Sequence, residues 1–177
     1  NALSGEMFTA IIETGERLLE RQGVRAVVLS GNGPGFCSGL DFSSFQAMAT
    51  DGVEGGSVSK MLTRGKRPEN LAQRSAYIWK QLPMPVIAAI HGVAYGGGCQ
   101  IAMAADIRIA APDAKLSIME VKWGLVPDMS ISQTLRDHVR LDIAKELTFS
   151  GRIIDGVEAQ ALGLVTLISE NPRVAAI

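Results

Sequence analysis

Charge of one sign, aromatic residues and cysteine are all in short supply in this sequence. Lys and Arg total 17 against 18 Asp and Glu, for a formal net charge of −1. A nucleic-acid surface needs clustered basic residues, so that balance argues against one. The two cysteines, Cys37 and Cys99, form neither a CxxC pair nor a disulfide framework. A reduced, cytoplasmic compartment is therefore the expectation. No spacing of His, Cys, Asp and Glu resembles a metal-ligand set, so no metal is expected. No Gly-Lys-Ser/Thr occurs, which excludes a Walker loop. No signal peptide is visible, and the first residue is Asn1 rather than Met, as in a processed or partial chain.

Charge is missing altogether from residues 81–105. A membrane helix needs about 20 predominantly apolar residues. This stretch is instead interrupted by Pro83, Pro85, Gln81, His91, Gln100 and the triplet Gly96-Gly97-Gly98. It reads as a buried strand, a glycine turn and a buried helix, not as a membrane span.

What is abundant is aliphatic residues and glycine. Hydrophobic residues make up 47% of the 177 residues, and 19 are glycine. That suffices for one domain with a sizeable core, and the glycines imply tight turns and close backbone approaches.

The pattern along the chain predicts a helix from Ser4, its N-cap, through Met7, Ile11, Ile12, Leu18 and Leu19 to Gly23. Arg25–Ser30 reads as a buried strand, followed by a glycine-punctuated loop from Gly31 to Gly39. A short amphipathic piece at Phe42–Ala49 leads into a Gly/Ser-rich stretch, residues 50–68, that reads as mobile. Further helices are expected at Glu69–Gln81, from the triplet to about Ala104, at Asp128–His138 and at Leu141–Thr148. Strands are expected at Pro85–Ile90, Ile107–Ala110 and Lys115–Ile118, with a final helix and strand over Gly156–Ile168. Strands alternating with helices imply an α/β domain with parallel pairing.

Three segments could carry chemistry. In Ile90-His-Gly-Val-Ala-Tyr-Gly-Gly-Gly-Cys-Gln100, three residues without Cβ stand where a strand hands over to a helix. Free N–H groups there suit an oxyanion or a phosphate; tight helix–sheet packing is the competing explanation. The second segment is Gly35-Phe-Cys-Ser-Gly-Leu-Asp-Phe42. A dinucleotide-binding reading of its glycines fails, because the spacing is wrong for GxGxxG and Pro34 interrupts the loop. The third is Ser117-Ile-Met-Glu120-Val-Lys-Trp-Gly-Leu-Val-Pro-Asp128. A Glu120 desolvated among Met119, Val121 and Trp123 would have a raised pKa and suit general acid–base work; otherwise it is simply exposed. Asp128 is either a second such carboxylate or a helix N-cap. His91 is expected to cap a strand end, and His138 to lie solvated on a polar helix face. Cys37 and Cys99 are expected to pack, as are Trp123, Met103 and Met119.

These three segments, in this order, resemble the crotonase family of enoyl-CoA hydratases and isomerases, over residues Asn1-Ala-Leu to about Val165. The resemblance implies a single crotonase-like acyl-CoA-binding core domain over 1–177, an α/β spiral of ββα turns. It further implies that the family's opening β-hairpin and C-terminal helices are absent from this sequence. It assigns an oxyanion hole to the backbone N–H groups of Leu40 and Gly97 and proton transfer to Glu120. It places Ala2, Phe36, Ser38, Gly39, Asp41, Phe42, Gly96 and Gln100 around the CoA ester. CoA is then part of the substrate, and no separate cofactor is implied. The partners implied are an acyl-CoA thioester and further copies of the chain in a homotrimer or hexamer, with no nucleic acid and no membrane.

One departure from the family stands out. Where its hydratases carry a second glutamate, this chain has Gln100, which can take or give no proton but can hold a water or a carbonyl. That puts double-bond isomerisation slightly ahead of hydration. Asp128 resembles the second carboxylate of the dienoyl-CoA isomerases, which makes that reaction, with Glu120 and Asp128, the alternative. A non-catalytic acyl-CoA-binding subunit is the alternative of a different class.

Overall fold

The structure is a computed structural model, and it describes residues 1–44, 46 and 63–177. The Phe42–Ala49 piece beyond residue 46 and the Gly/Ser-rich stretch up to residue 62 lie outside the described residues.

Ser4 starts helix α1 (Gly5–Glu20) as predicted, its side chain accepting from the Met7 amide at 3.2 Å. The helix stops at Glu20, and Gly23 follows in a turn with φ +81°. Its buried face is Phe8, Ile12 and Gly15. Met7 and Leu19, which share the helical spacing, are exposed. Gly15 matters because α2 (Leu71–Lys80) lies directly against it: a Cβ there would fall 2.3 Å from Ile78 Cγ1. Asn70 caps α2 through a reciprocal pair with Gln73, so α2 begins just after the predicted Glu69.

Four strands form an all-parallel sheet. Their order is β1 (Val27–Ser30), β2 (Val86–Ile90), β4 (Ile107–Ala110), β7 (Leu167–Ile168). The run Val86-Ile-Ala-Ala-Ile90 is almost continuously buried, as a strand covered on both faces requires. A second sheet holds β3 (Val93–Tyr95), β5 (Lys115–Ser117) and β6 (Ile154–Asp155). Here β3 and β5 run parallel, but β5 and β6 run antiparallel, which corrects the expectation of parallel pairing throughout. The chain steps from the first sheet to the second twice, from β2 to β3 and from β4 to β5. After β3 comes α3 (Gly97–Met103). The result is an α/β fold with one parallel and one mixed sheet. Among the described residues no helix is long and apolar enough to cross a membrane.

The region after Asp128 differs from the expected single helix. It is one α turn, α4 (Ile131–Thr134), followed by a 3-10 turn over Leu135–Asp137. Beyond it lie α5 (Leu141–Ser150), α6 (Gly156–Ala161) and α7 (Pro172–Ala175). The 3-10 turn brings His138 inward, so the solvated reading of His138 is wrong. Its Nε2 lies 3.0 Å from the Met103 carbonyl, and its Nδ1 lies 3.4 Å from Nη2 of the buried Arg108. A ring donating from Nε2 to Met103 and accepting at Nδ1 from Arg108 Nη2 fits those two contacts, leaving Arg108 Nη1, 3.2 Å from Nε2, to donate to the Ala105 carbonyl instead. Arg108 itself donates to the Leu164 and Ala105 carbonyls.

Burial, then the Arg108 charge, hold His138 below its ordinary pKa of 6.5. A group depressed in this way favours the fold above that ordinary value. The contribution is lost as pH falls through 6.5 towards the lower folded value. Melting temperature should therefore drop between about pH 7.5 and pH 5.5, and the drop should be shallower in His138→Gln. Parallel pH curves for the two proteins in thermal unfolding would contradict this account.

Candidate active site

The glycine loop and the triplet meet because they share a sheet edge. Cys37 pairs with Ala94 of β3, its amide donating to the Val93 carbonyl at 2.9 Å and its carbonyl accepting from Tyr95 at 3.0 Å. Leu3 pairs with Leu40 on the other side: the Leu3 amide donates to Gly39, and Asp41 donates to Leu3. Gly39 (φ +93°) leaves 2.9 Å between a would-be Cβ and the Tyr95 carbonyl oxygen. The side chain of Asn1 ties the loop down, donating to the carbonyls of Asn32 (2.7 Å) and Gly35 (2.9 Å).

In the triplet each glycine answers a different neighbour. Gly96 has φ +51°, and a Cβ on it would lie 3.3 Å from Glu120 Oε1. A Cβ on Gly97 would lie 2.6 Å from Leu3 Cδ1, and one on Gly98 would lie 2.6 Å from both Cβ and the carbonyl oxygen of Cys37. The packing explanation of the triplet therefore holds. It does not displace the other, because the amides of Leu40 and Gly97 donate to no backbone carbonyl among the described residues. Gly97 opens α3, where the first N–H groups have no partner within the helix.

Glu120 is 9% exposed and begins a 3-10 turn over Glu120–Trp123. Its neighbours are not the ones expected, since Val121 and Trp123 are 44% and 63% exposed. The carboxylate instead lies beneath the start of α3, against Gly96 and Gln100. Gln100 Nε2 donates to Glu120 Oε1 at 2.5 Å. The Met129 amide donates to Gln100 Oε1 at 2.9 Å. Glu120 Oε2 is buried with no hydrogen-bond partner among the described residues. Burial pushes the Glu120 carboxyl above its usual range; hydrogen bonding from its own backbone N–H and then from Gln100 opposes that, and the Asp128 charge adds to the rise.

Asp128 is not a helix N-cap. The residue at that position is Ser130, held at φ +67°. Asp128 is open to solvent on one side and lines a cavity of about 830 Å³ between α2, the 126–136 segment and α5. Desolvation by the surrounding protein raises its pKa as well. Tyr77, Ile131 and Phe149 line the same cavity.

The residues assigned to the CoA ester are spread over several places. Ala2 and Phe36 line a separate cavity of about 260 Å³ beneath the Gly31–Phe36 loop, where neither Glu120 nor Asp128 reaches. Ser38 is exposed, its hydroxyl donating to the Asn1 carbonyl at 2.9 Å. Asp41 accepts from the Ser43 amide and hydroxyl, which lowers its pKa, and Phe42 is 74% exposed. Gln100 is 1% exposed, and protein groups take both ends of its amide. Cys99 is fully buried, and desolvation pushes its thiol up to about 12, so it is no nucleophile. The described residues contain no group of His, Cys, Asp and Glu able to hold a metal. Sequence reasoning missed Met129, and no signal could have revealed it, because it acts through a backbone N–H.

Gly98→Ala should destabilise the fold by about 1–3 kcal/mol, since the new Cβ meets backbone as well as side chain. A denaturant midpoint unchanged from wild type would refute this packing.

The sequence model of the enoyl-CoA hydratase/isomerase family matches residues 1–175. The chain is 36% identical to mouse mitochondrial methylglutaconyl-CoA hydratase over 97% of its own length and 51% of that protein. It is 35% identical to the peroxisomal Delta(3,5)-Delta(2,4)-dienoyl-CoA isomerase of Arabidopsis thaliana over 95% of its length and 60% of that protein. The crystal structure of an enoyl-CoA hydratase/isomerase from Mycobacterium paratuberculosis superposes with a TM-score of 0.86 at 26% identity, covering 99% of this chain and 66% of that one. The chain thus spans between half and two thirds of the length of these relatives. With three chemistry-bearing segments brought to one place and the family match running over residues 1–175, the chain belongs to the enoyl-CoA hydratase/isomerase family.

Proposed function

We propose that this protein binds an acyl-CoA thioester and moves a proton at the carbon next to the thioester carbonyl, with Glu120 as the base. The observation that carries this is the Glu120 carboxylate, buried, raised in pKa and with one oxygen that has no partner among the described residues. A carboxylate made more basic by desolvation is suited to removing a weakly acidic carbon-bound proton. The resulting enolate needs donors at its oxygen, and the amides of Leu40 and Gly97, which donate to no backbone carbonyl among the described residues, are the groups we assign to it. One such donor is worth about 3–4 kcal/mol.

The favoured reaction is movement of a double bond. Glu120 takes the proton from the α carbon of a 3-enoyl-CoA and returns it to the γ carbon, giving the 2-enoyl isomer with no net change in atoms. Relatives are named for hydration and for isomerisation alike, so names do not choose between them. The amide at position 100 favours isomerisation, because two-base hydration needs a second group able to exchange a proton. A second reading has its own support. Asp128 lies near enough to raise the Glu120 pKa and lines the large cavity. Those features suit a proton shuttle between Glu120 and Asp128 on a 3,5-dienoyl-CoA.

Purified protein assayed on 3-enoyl-CoA should lose activity by about 10²–10⁴-fold in Glu120→Gln. Asp128→Asn should leave that reaction largely intact while abolishing any turnover of 3,5-dienoyl-CoA. Activity should rise with pH through the elevated Glu120 pKa, since the base must be ionised. Fast hydration of 2-enoyl-CoA that survives Glu120→Gln would sink the assignment. Binding of CoA esters without turnover of any enoyl ester would point to the non-catalytic reading.

A further inference from the structure

We propose that Gln100 is the positioning residue of this site: its side-chain amide clamps Glu120 Oε1 to the backbone of Met129 and leaves Oε2 as the oxygen that moves the proton. This rests on the proton-transfer role proposed for Glu120.

The two ends of the amide cannot be exchanged. The Met129 N–H can only donate, so the group facing it at 2.9 Å must be the Gln100 carbonyl oxygen. The NH2 group must then face Glu120, where it donates to Oε1 at 2.5 Å. Gln100 is 1% exposed, so water does not compete for either contact. A free carboxylate has two equivalent oxygens. Here one carries a donor and the other is buried with no partner among the described residues. The oxygen holding a hydrogen bond is stabilised as an anion and is the weaker base. Proton traffic therefore falls to Oε2, and the carboxylate cannot turn to exchange the two without breaking the bond to Gln100.

The same amide joins two segments that the sequence leaves independent. Met129 lies between Asp128 and Ser130, and Ser130 is the one non-glycine residue with positive φ among the described residues. A left-handed serine is strained and persists where the surroundings hold it. Gln100 therefore fixes the Glu120 side chain and the chain carrying Asp128 in one piece. A glutamate at position 100 could not make this clamp without a shared proton, because two carboxylates in contact cannot both ionise. The titratable groups facing Glu120 are Asp128, whose charge raises its pKa, and the Cys99 thiol, whose own pKa Glu120 raises.

The test is a direct titration of the Glu120 carboxyl by infrared difference spectroscopy in the whole protein, with Glu120→Gln to assign the band. Gln100→Met keeps the size of the side chain and removes the donor. It should raise the Glu120 pKa by about one unit or more. Gln100→Glu should raise it further, with coupled titration of the two carboxyls. The acid limb of the pH–rate profile should move upward by the same interval, with kcat affected more than KM. A Glu120 pKa unmoved or lowered in folded Gln100→Met overturns the clamp. Should that variant fail to fold, an unshifted, uncoupled titration in Gln100→Glu overturns it instead. The two readings separate cleanly. A wild type with no enoyl-CoA turnover sinks the proposed function, while the titration alone decides the clamp.

Discussion

A carboxylate taken out of water must be given hydrogen bonds or give up its charge, and the centre of this molecule is arranged around that constraint. Glu120 receives one side-chain donor, from Gln100, and its Oε2 is buried without a partner among the described residues. The bond is possible only because α3 begins within contact distance of the carboxylate. That approach in turn depends on Gly96, where a Cβ would press on Oε1. Net stabilisation of about 1.5–3 kcal/mol is usual for a hydrogen bond to a charged group. It offsets only part of the desolvation, so Glu120 stays more basic than an exposed glutamate, which is the property a base working on a carbon acid requires.

The glycine triplet shows that packing and chemistry need not be competing explanations. Gly97 and Gly98 have no room for a side chain because Leu3, Met129 and Cys37 already stand there. The same closeness brings the first amides of α3 beside the Gly39–Leu40 turn, through the pairing of Cys37 with Ala94 and of Leu3 with Leu40. The backbone that could hold an oxyanion is thus fixed by the second sheet and its neighbours rather than by a mobile loop. Asn1 adds to this by holding the turn from Asn32 to Gly35 in place.

The two carboxylates have different surroundings, and that difference shapes the chemistry open to them. Glu120 is buried beneath α3, outside the set of residues that line the cavity at Asp128. Asp128 lies on the wall of a cavity large enough for an acyl group, with solvent on one side. Each is raised in pKa chiefly by desolvation, and the Asp128 charge adds to the rise at Glu120. Such a pair favours passing a proton over holding two negative charges at once.

The sequence by itself determined the α/β class, the helix capped by Ser4, the buried Val86–Ile90 strand and the three segments that carry the family resemblance. These are local signals: a capping oxygen, an uninterrupted aliphatic run, glycines clustered where a strand meets a helix. It left Asp128 open between a cap and a carboxylate of the site, and it misplaced His138, whose helix proved to be one α turn and a 3-10 turn. It also read Glu120 as desolvated by its own neighbours in the chain, two of which face solvent. Only the tertiary structure decided what buries Glu120, which of its oxygens is held, and that Gln100 looks inward to Met129 rather than outward to a ligand. Such facts join residues 20 to 29 positions apart through side chain and backbone. Composition and periodicity record what a residue can do locally; they carry no record of which distant N–H will meet it.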